Sequence, residues 1–191
     1  GDRTEPSPES MAVEARTGYE ASKLARERYA EYYDNYYEDV TMAGLRYFSV
    51  YQGMAGGAEG HKGEFANIIA QFADDIANGR SPKIYGDGTQ TRDFTHVSDV
   101  VAATIAAAEN ELSGIYNVGT EVQYSFDTVV ELLNDALGTE VEPEYVENPI
   151  PEDVYVHDTM ADASQIREAT GWEPAISFEE GIERVCSPYL D

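Results

Sequence analysis

Tyr19-Glu-Ala-Ser-Lys23 sets a phenol and an ammonium four residues apart, which on a helix is a single face. An ammonium held beside a phenol stabilises the phenolate, drawing the tyrosine from its ordinary pKa of about 10 toward neutrality. The pair is then a candidate acid/base for moving a hydroxyl proton while a hydride leaves the same carbon. The alternative for the same residues is a surface tyrosine beside a helix lysine. Other chemistries find little support. Cys186 is the only cysteine, which excludes an internal disulfide and a cysteine-based metal site. His61, His96 and His157 are too dispersed to suggest a metal site, so no metal is expected.

The pair needs a helix to hold it. Leu24, Ala25, Tyr29, Tyr32, Tyr33 and Tyr36 recur at three- and four-residue spacing, predicting a helix over 17–39 whose tyrosines serve the core or a dimer interface. Residues 1–16 read as a loop, 42–51 as one buried strand and 52–63 as a glycine-rich loop. A helix is expected over 64–78 and a strand over 83–85, followed by a turn at Gly86-Asp87-Gly88. A strand over 94–97 leads to a helix capped by Ser98, and 115–118 forms a further buried strand. Ser125 opens a helix that Gly138 ends. Asp162-Ala-Ser-Gln165 and Ser177-Phe-Glu-Glu180 read as capping boxes opening the last two helices. Trp172 is expected to plug the core. Helices alternating with short strands give an α/β class. The Gly-x-Gly-x-x-Gly turn that opens a dinucleotide-binding unit does not occur, and Gly53-Met-Ala-Gly56-Gly57 lacks its context.

The composition narrows the function classes. A net charge of −25 would repel nucleic acids and anionic lipid headgroups, so neither is expected as a partner. At 42% hydrophobic residues the chain can nevertheless build a core. The longest apolar run, 100–108, is too short to span a bilayer, and no apolar signal region opens the sequence. The expected compartment is the cytoplasm. Acids run along the whole chain, while Lys23, Lys62 and Lys83 are the only lysines. Such a surface strains the fold by self-repulsion in dilute salt, and at about 1 M salt a screening length of roughly 3 Å removes most of that strain. The texture points to a salt-rich cytoplasm.

Several motifs then occur in order. Gly18-Tyr-Glu-Ala-Ser-Lys-Leu-Ala-Arg-Glu27 with Leu45-Arg-Tyr-Phe-Ser-Val-Tyr51 resembles the extended short-chain dehydrogenase/reductase family. Ile84-Tyr-Gly-Asp-Gly-Thr-Gln-Thr-Arg-Asp-Phe-Thr-His-Val-Ser-Asp-Val100 resembles its sugar-nucleotide epimerase/dehydratase branch. So do Tyr116-Asn-Val-Gly119, Ala161-Asp-Ala-Ser, Gly171-Trp-Glu-Pro174 and Phe178-Glu-Glu-Gly181. The resemblance covers essentially the whole chain. It implies a partial Rossmann-type fold lacking the N-terminal glycine-rich half, plus a small C-terminal substrate-binding α/β lobe. Residues 1–51 would belong to the dinucleotide-binding domain and 52–191 mostly to the substrate lobe, with 94–119 returning to the Rossmann core. A stretch like Gly1-Asp2 … Pro6 follows the strand that bears the family's catalytic serine or threonine, so the chain looks like the C-terminal part of such an enzyme.

Carried over residue by residue, the resemblance makes Tyr19 the catalytic acid/base and Lys23 the holder of the nicotinamide ribose of NAD. Phe48 lies where the backbone approaches the nicotinamide. Ser49 replaces the usual asparagine at the diphosphate, Asn67 resembles the asparagine that helps hold the nucleotide, and Lys83, Ile84 and Tyr85 match the strand that lines uracil and ribose. Arg92 supplies the bidentate fork a diphosphate needs; its alternative is a salt bridge to Asp93 or another carboxylate. Where the family commonly has an arginine before a Gly-Asp pair, this chain has Asn148-Pro-Ile-Pro-Glu-Asp153, with no basic residue. Asp153 is left for the ribose or phosphate region, and Lys62 or His61 for the missing charge. The implied reaction is NAD-dependent epimerisation of a UDP-glucose/UDP-galactose-type sugar by transient oxidation at C4, in a homodimer packed through the Tyr19 helix. The alternatives are part of an NDP-sugar 4,6-dehydratase, or an inactive fragment that binds sugar nucleotide or dimerises. The isolated chain is expected to show no turnover. The charge reading is tested by thermal denaturation: the midpoint should rise steadily between about 0.1 M and 2 M KCl, and a midpoint indifferent to salt would leave the chain merely acidic.

Overall fold

The computed structural model describes residues 4–54, 58–62, 66–152 and 154–190. Gly1-Asp2, Asp153 and the Gly56-Gly57 step lie outside these, as do residues 64 and 65 of the expected second helix.

Thr17 opens the first helix, α1 (Gly18–Tyr36), with a reciprocal capping box: its hydroxyl accepts from Glu20 N–H, and the Glu20 carboxylate accepts from Thr17 N–H. The inner face of α1 is not the tyrosine stripe that periodicity suggests. Its half-buried residues include Leu24, Glu27, Ala30 and Asp34, while Tyr29, Tyr32, Tyr33, Tyr36 and Tyr37 are exposed, and all but Tyr29 stack on one another. Two acids can face inward because each is answered. Arg46 grips both Glu27 oxygens at 2.8 Å, and Asp34 accepts from Met42 N–H and the Ser113 hydroxyl. Those two bonds hold the Asp34 carboxyl below its usual range.

The expected strand over 42–51 is two strands, β1 (Ala43–Tyr47) and β2 (Val50–Tyr51), of whose residues only Tyr51 is buried. The chain breaks at Phe48-Ser49 because its successive partners differ. β1 runs parallel to β6 (Gly114–Val118), whereas β2 runs parallel to β5 (Thr95–His96). Two further pairs complete the strand set: β3 (Lys83–Tyr85) parallel to β8 (Glu144–Val146), and β4 (Thr91–Asp93) antiparallel to β7 (Gln123–Ser125).

Three helices share one arithmetic. α2 (Ile68–Ala77) buries Ile69, Phe72, Ala73 and Ile76; α4 (Phe126–Leu137) buries Phe126, Val129, Val130 and Leu133; α6 (Phe178–Cys186) buries Phe178, Gly181, Ile182 and Val185. Each set follows the i, i+3, i+4, i+7 stripe, and the three stripes close on Tyr51, Ile84 and Phe94 as one core. Gly181 lets α6 close on Tyr51, whose hydroxyl would lie 1.8 Å from an added Cβ. A second core forms where α3 (Val97–Glu109) and α5 (Ser164–Thr170) pack by β1 and β6, with Val100, Ala103, Val118, Ile166 and the expected plug Trp172.

Two expected caps differ. α3 is capped by His96, not Ser98: the imidazole Nδ1 accepts from Ser98 N–H, and burial holds His96 below its ordinary pKa, favouring the neutral acceptor. At α5 the Asp162 carboxylate turns back on Ser164, so Ala163 takes the cap position with no side-chain bond, and the capping box does not form.

Asp93 ties the two cores together. Fully buried, its carboxylate accepts from Thr120 N–H and hydroxyl, Glu121 N–H and Ala161 N–H at 2.7–3.0 Å. Burial lifts the Asp93 carboxyl above its usual range while these four donors oppose that rise. Gly119 admits the close approach, since an added Cβ would lie 2.4 Å from Ala161 Cβ and 2.7 Å from Asp93 Oδ2. Removing the carboxylate strands three N–H groups, that of Ala161 buried and those of Thr120 and Glu121 part-buried. Asp93→Ala should cost about 3 kcal/mol in denaturant unfolding; a loss under about 1 kcal/mol would show that water replaces the carboxylate.

Candidate functional site

Arg92 and Asp93 are neighbours on β4, so their side chains leave opposite faces. With Asp93 tied inward, Arg92 faces a cavity of about 460 Å³. Its wall is built from Ser49 and Val50 at β2, Asn67 and Ile68 at the start of α2, Tyr85 at the end of β3, Phe94, and Phe126 at the start of α4. Asn148, Pro149, Ile150 and Tyr155 close the other side. In a chain with 37 acids, no carboxylate among the described residues lines this cavity.

The alternative reading of Arg92, an ion pair with Asp93, is not what forms. Nη1 donates to the carbonyls of Thr91 and His157, and Nη2 donates to that of Val156, at 2.6–2.7 Å. The guanidinium lies over the Phe126 and Tyr155 rings at 5.5 and 5.8 Å. A guanidinium has five N–H donors. Three are engaged, which leaves the Nε–H and one Nη2–H without a partner among the described residues. Two N–H donors on one guanidinium are what a phosphate or carboxylate takes.

The other candidates divide. Ser49, Asn67, Tyr85 and Arg92 come together at the cavity. Asn67 is also structural: its Oδ1 accepts from Ala70 N–H to cap α2, and its Nδ2 donates to Gln52 O. The adjoining end of α2 brings the positive end of a helix dipole to the wall. Along β3 only Tyr85 faces the cavity; Lys83 is exposed, and Ile84 is sealed in the core, so its side chain cannot reach a ligand. Asp153 lies outside the described residues. Phe94, Phe126, Ile150 and Tyr155 are not singled out by the sequence as site residues. Their only signal is apolar or aromatic character, since the partners that gather them lie up to 65 residues away.

Tyr19 and Lys23 stand elsewhere, on the first turns of α1. Tyr19 is 70% exposed, and the Lys23 ammonium lies 5.0 Å from its ring centroid. At such an exposed site this cation–π contact contributes about 0.5–1 kcal/mol. Lys23 has no carboxylate partner among the described residues. Phe48 ends the β1–β6 pair, donating its N–H to Val118 O at 3.0 Å, and so marks the carboxyl end of two parallel strands. Ligands of open α/β sheets bind at such ends.

Strand pairing, helix packing and the cation-bearing cavity together define a mixed α/β, Rossmann-like chain. Residues 1–119 match the NAD dependent epimerase/dehydratase family. The chain belongs to that family. It is 34% identical over 182 residues to a putative UDP-glucose 4-epimerase of Methanocaldococcus jannaschii, covering 95% of this chain and 56% of that protein. The UDP-glucose 4-epimerase of Thermotoga maritima, solved with UDP-glucose, matches with a TM-score of 0.85 at 28% identity, over 98% of this chain and 58% of that one. The UDP-glucose 4-epimerase of Thermus thermophilus, solved with NAD, gives 0.83 at 28% identity, over 99% and 59%. The chain thus spans a little over half the length of these relatives.

The helix bearing Tyr19 buries no residue fully and leans on the Arg46–Glu27 pair. Arg46→Ala should therefore lower amide-exchange protection across 18–36 by roughly tenfold while the global melting midpoint moves little. A joint fall of both would make α1 an integral part of the cooperative core.

Proposed function

We propose that this chain is the sugar-nucleotide-binding part of an NAD-dependent epimerase acting on UDP-glucose/UDP-galactose-type sugars by transient oxidation at C4. The observation that carries the reading is Arg92: in an acid-rich chain, a guanidinium held by three main-chain carbonyls, with two donors left over, lines a cavity without carboxylates among the described residues. A nucleotide diphosphate fits those donors, with the Ser49 hydroxyl and the α2 terminus on the same wall. The Tyr85 ring, about half exposed, offers a stacking face for the base. Asp153 is assigned to the ribose side on the strength of the family resemblance, and Lys83 and Ile84 to the strand behind Tyr85.

NAD, when bound, supplies the hydride acceptor and donor. Tyr19 takes the C4 hydroxyl proton and later returns it. Lys23, with no carboxylate partner among the described residues, holds the nicotinamide ribose, and Phe48 brings main chain to the same strand end. The exposure of Tyr19 and Lys23 on α1 suits contact with a group arriving from outside these 191 residues. The glycine-rich half is assigned to such a segment, because the relatives are longer and β1 pairs only with β6 among the described residues. Alone, the chain binds sugar nucleotide without turnover. The mutually stacked tyrosines of α1 are assigned to a homodimer contact. No helix among the described residues is long and apolar enough to cross a membrane, in keeping with a cytoplasmic enzyme.

Calorimetric titration of UDP-glucose into the folded chain in about 2 M KCl tests this. Saturable binding should weaken about 100-fold in Arg92→Ala. Arg92→Lys, which keeps the charge and loses the fork, should fall nearly as far. No heat from a folded sample, or affinity indifferent to both substitutions, would overturn the reading.

A further inference from the structure

The cavity presents one positive charge, whereas a diphosphate brings two negative ones. The opposing wall adds none, because Asn148-Pro-Ile-Pro-Glu152 has no basic residue. Most other described arginines are already engaged: Arg28, Arg46, Arg80, Arg167 and Arg184 each pair with carboxylates.

Lys62 is different in what its partner does. A 3-10 turn, Ala58–His61, buries Glu59 to 3% exposure. The Lys62 ammonium bonds one oxygen of that carboxylate, and the other accepts from Asn67 N–H at 2.8 Å. Asn67 lines the cavity. The ammonium is therefore two hydrogen bonds from the cavity wall, half exposed, on a flexible four-carbon stem. A carboxylate buried this deeply is costly unless paired. Its partners here are a cation on the solvent side and the main chain of a wall residue on the other. The pair so formed holds a cation near the start of α2, whose first residues line the cavity and whose dipole has the same sign there.

We propose that Lys62 is a second cationic ligand for the diphosphate, and that Glu59 is the positioning residue that sets Lys62 and Asn67 in register. The inference rests on the reading of the cavity as a nucleotide diphosphate site. Lys62 acts on the diphosphate and not on the nucleoside, and this separates it from a merely structural lysine.

The test is calorimetric titration of UDP and of uridine into the whole chain, at the lowest KCl concentration that keeps it folded by circular dichroism. Lys62→Gln should weaken UDP binding about tenfold and leave uridine binding unchanged, with Lys62→Arg restoring most of the loss. Glu59→Gln should weaken UDP binding in the same way. Because that variant disturbs a buried group, its melting midpoint is measured alongside, and Lys62→Gln, altering a half-exposed side chain, decides the question if it unfolds. UDP binding that responds to Arg92→Lys and not to Lys62→Gln would overturn this inference and leave the diphosphate site standing. Equal loss of uridine and UDP in Lys62→Gln would overturn it as well. Folded wild-type chain with no affinity for UDP would overturn both.

Discussion

The buried carboxylate of Asp93 is the constraint on which the remaining structure depends. Its four donors come from the segment after β6 and from the approach to α5, so one side chain joins elements 27, 28 and 68 residues away. A charge buried this completely survives only if its lone pairs are answered, and here main-chain N–H groups answer most of them. The bonds also fix the facing of β4. With residue 93 turned inward, residue 92 must turn outward, so the internal tie and the cavity-facing cation are two consequences of one strand alternation.

The acidity of the chain sharpens what the cavity means. Carboxylates elsewhere include many at the surface and others paired or tied to main chain: Asp99 accepts from Ala175 and Ile176 N–H, Glu27 from Arg46, and Asp34 from Met42. Their exclusion, among the described residues, from a cavity bounded by residues of several elements is thus a local departure from the composition. An anion meeting it is opposed by the field of the whole chain and favoured by the few groups at the wall. At high ionic strength the first effect is screened over a few ångströms, while contacts inside the cavity are screened less. Salt should then favour both fold and site through the same screening.

Much of this is legible in the sequence where the signal is local. The helices α4 and α6, the caps at Ser125 and Ser177 and the left-handed stop at Gly138 stand where the residues place them, whereas α2 begins at Ile68 behind an Asn67 cap and not at residue 64. The failures have physical causes. The tyrosines of α1 carry a helical period, but on a helix that packs through Glu27 and Asp34 the period marks the outer face, and nothing local reveals Arg46 or Ser113 as partners. His96 reads only as a strand residue, because an imidazole capping a helix through Nδ1 depends on its burial. Arg92 is marked by its motif. What holds it is not, since Val156 and His157 meet it only after the chain has closed on itself.

Those distant bonds are what orient Arg92 at the cavity. Three donors held by main-chain oxygens, with aromatic rings at 5.5 and 5.8 Å, leave the guanidinium little rotamer freedom. An anion reaching its remaining donors loses less to ordering than it would at a mobile side chain. The same bonds bring Tyr155 over the guanidinium, so the wall is completed by the groups that orient the cation. The β1–β6 pair is connected to this cavity through the step at Phe48-Ser49. Phe48 still bonds to Val118 at the end of the β1–β6 pair, while Ser49 already lines the cavity and accepts from Thr95 N–H through its carbonyl. A continuous strand there, as the apolar run suggests, would have kept the chain with a single partner. The break lets one peptide step belong to the sheet end where the dinucleotide is expected and to the cavity where the diphosphate is expected.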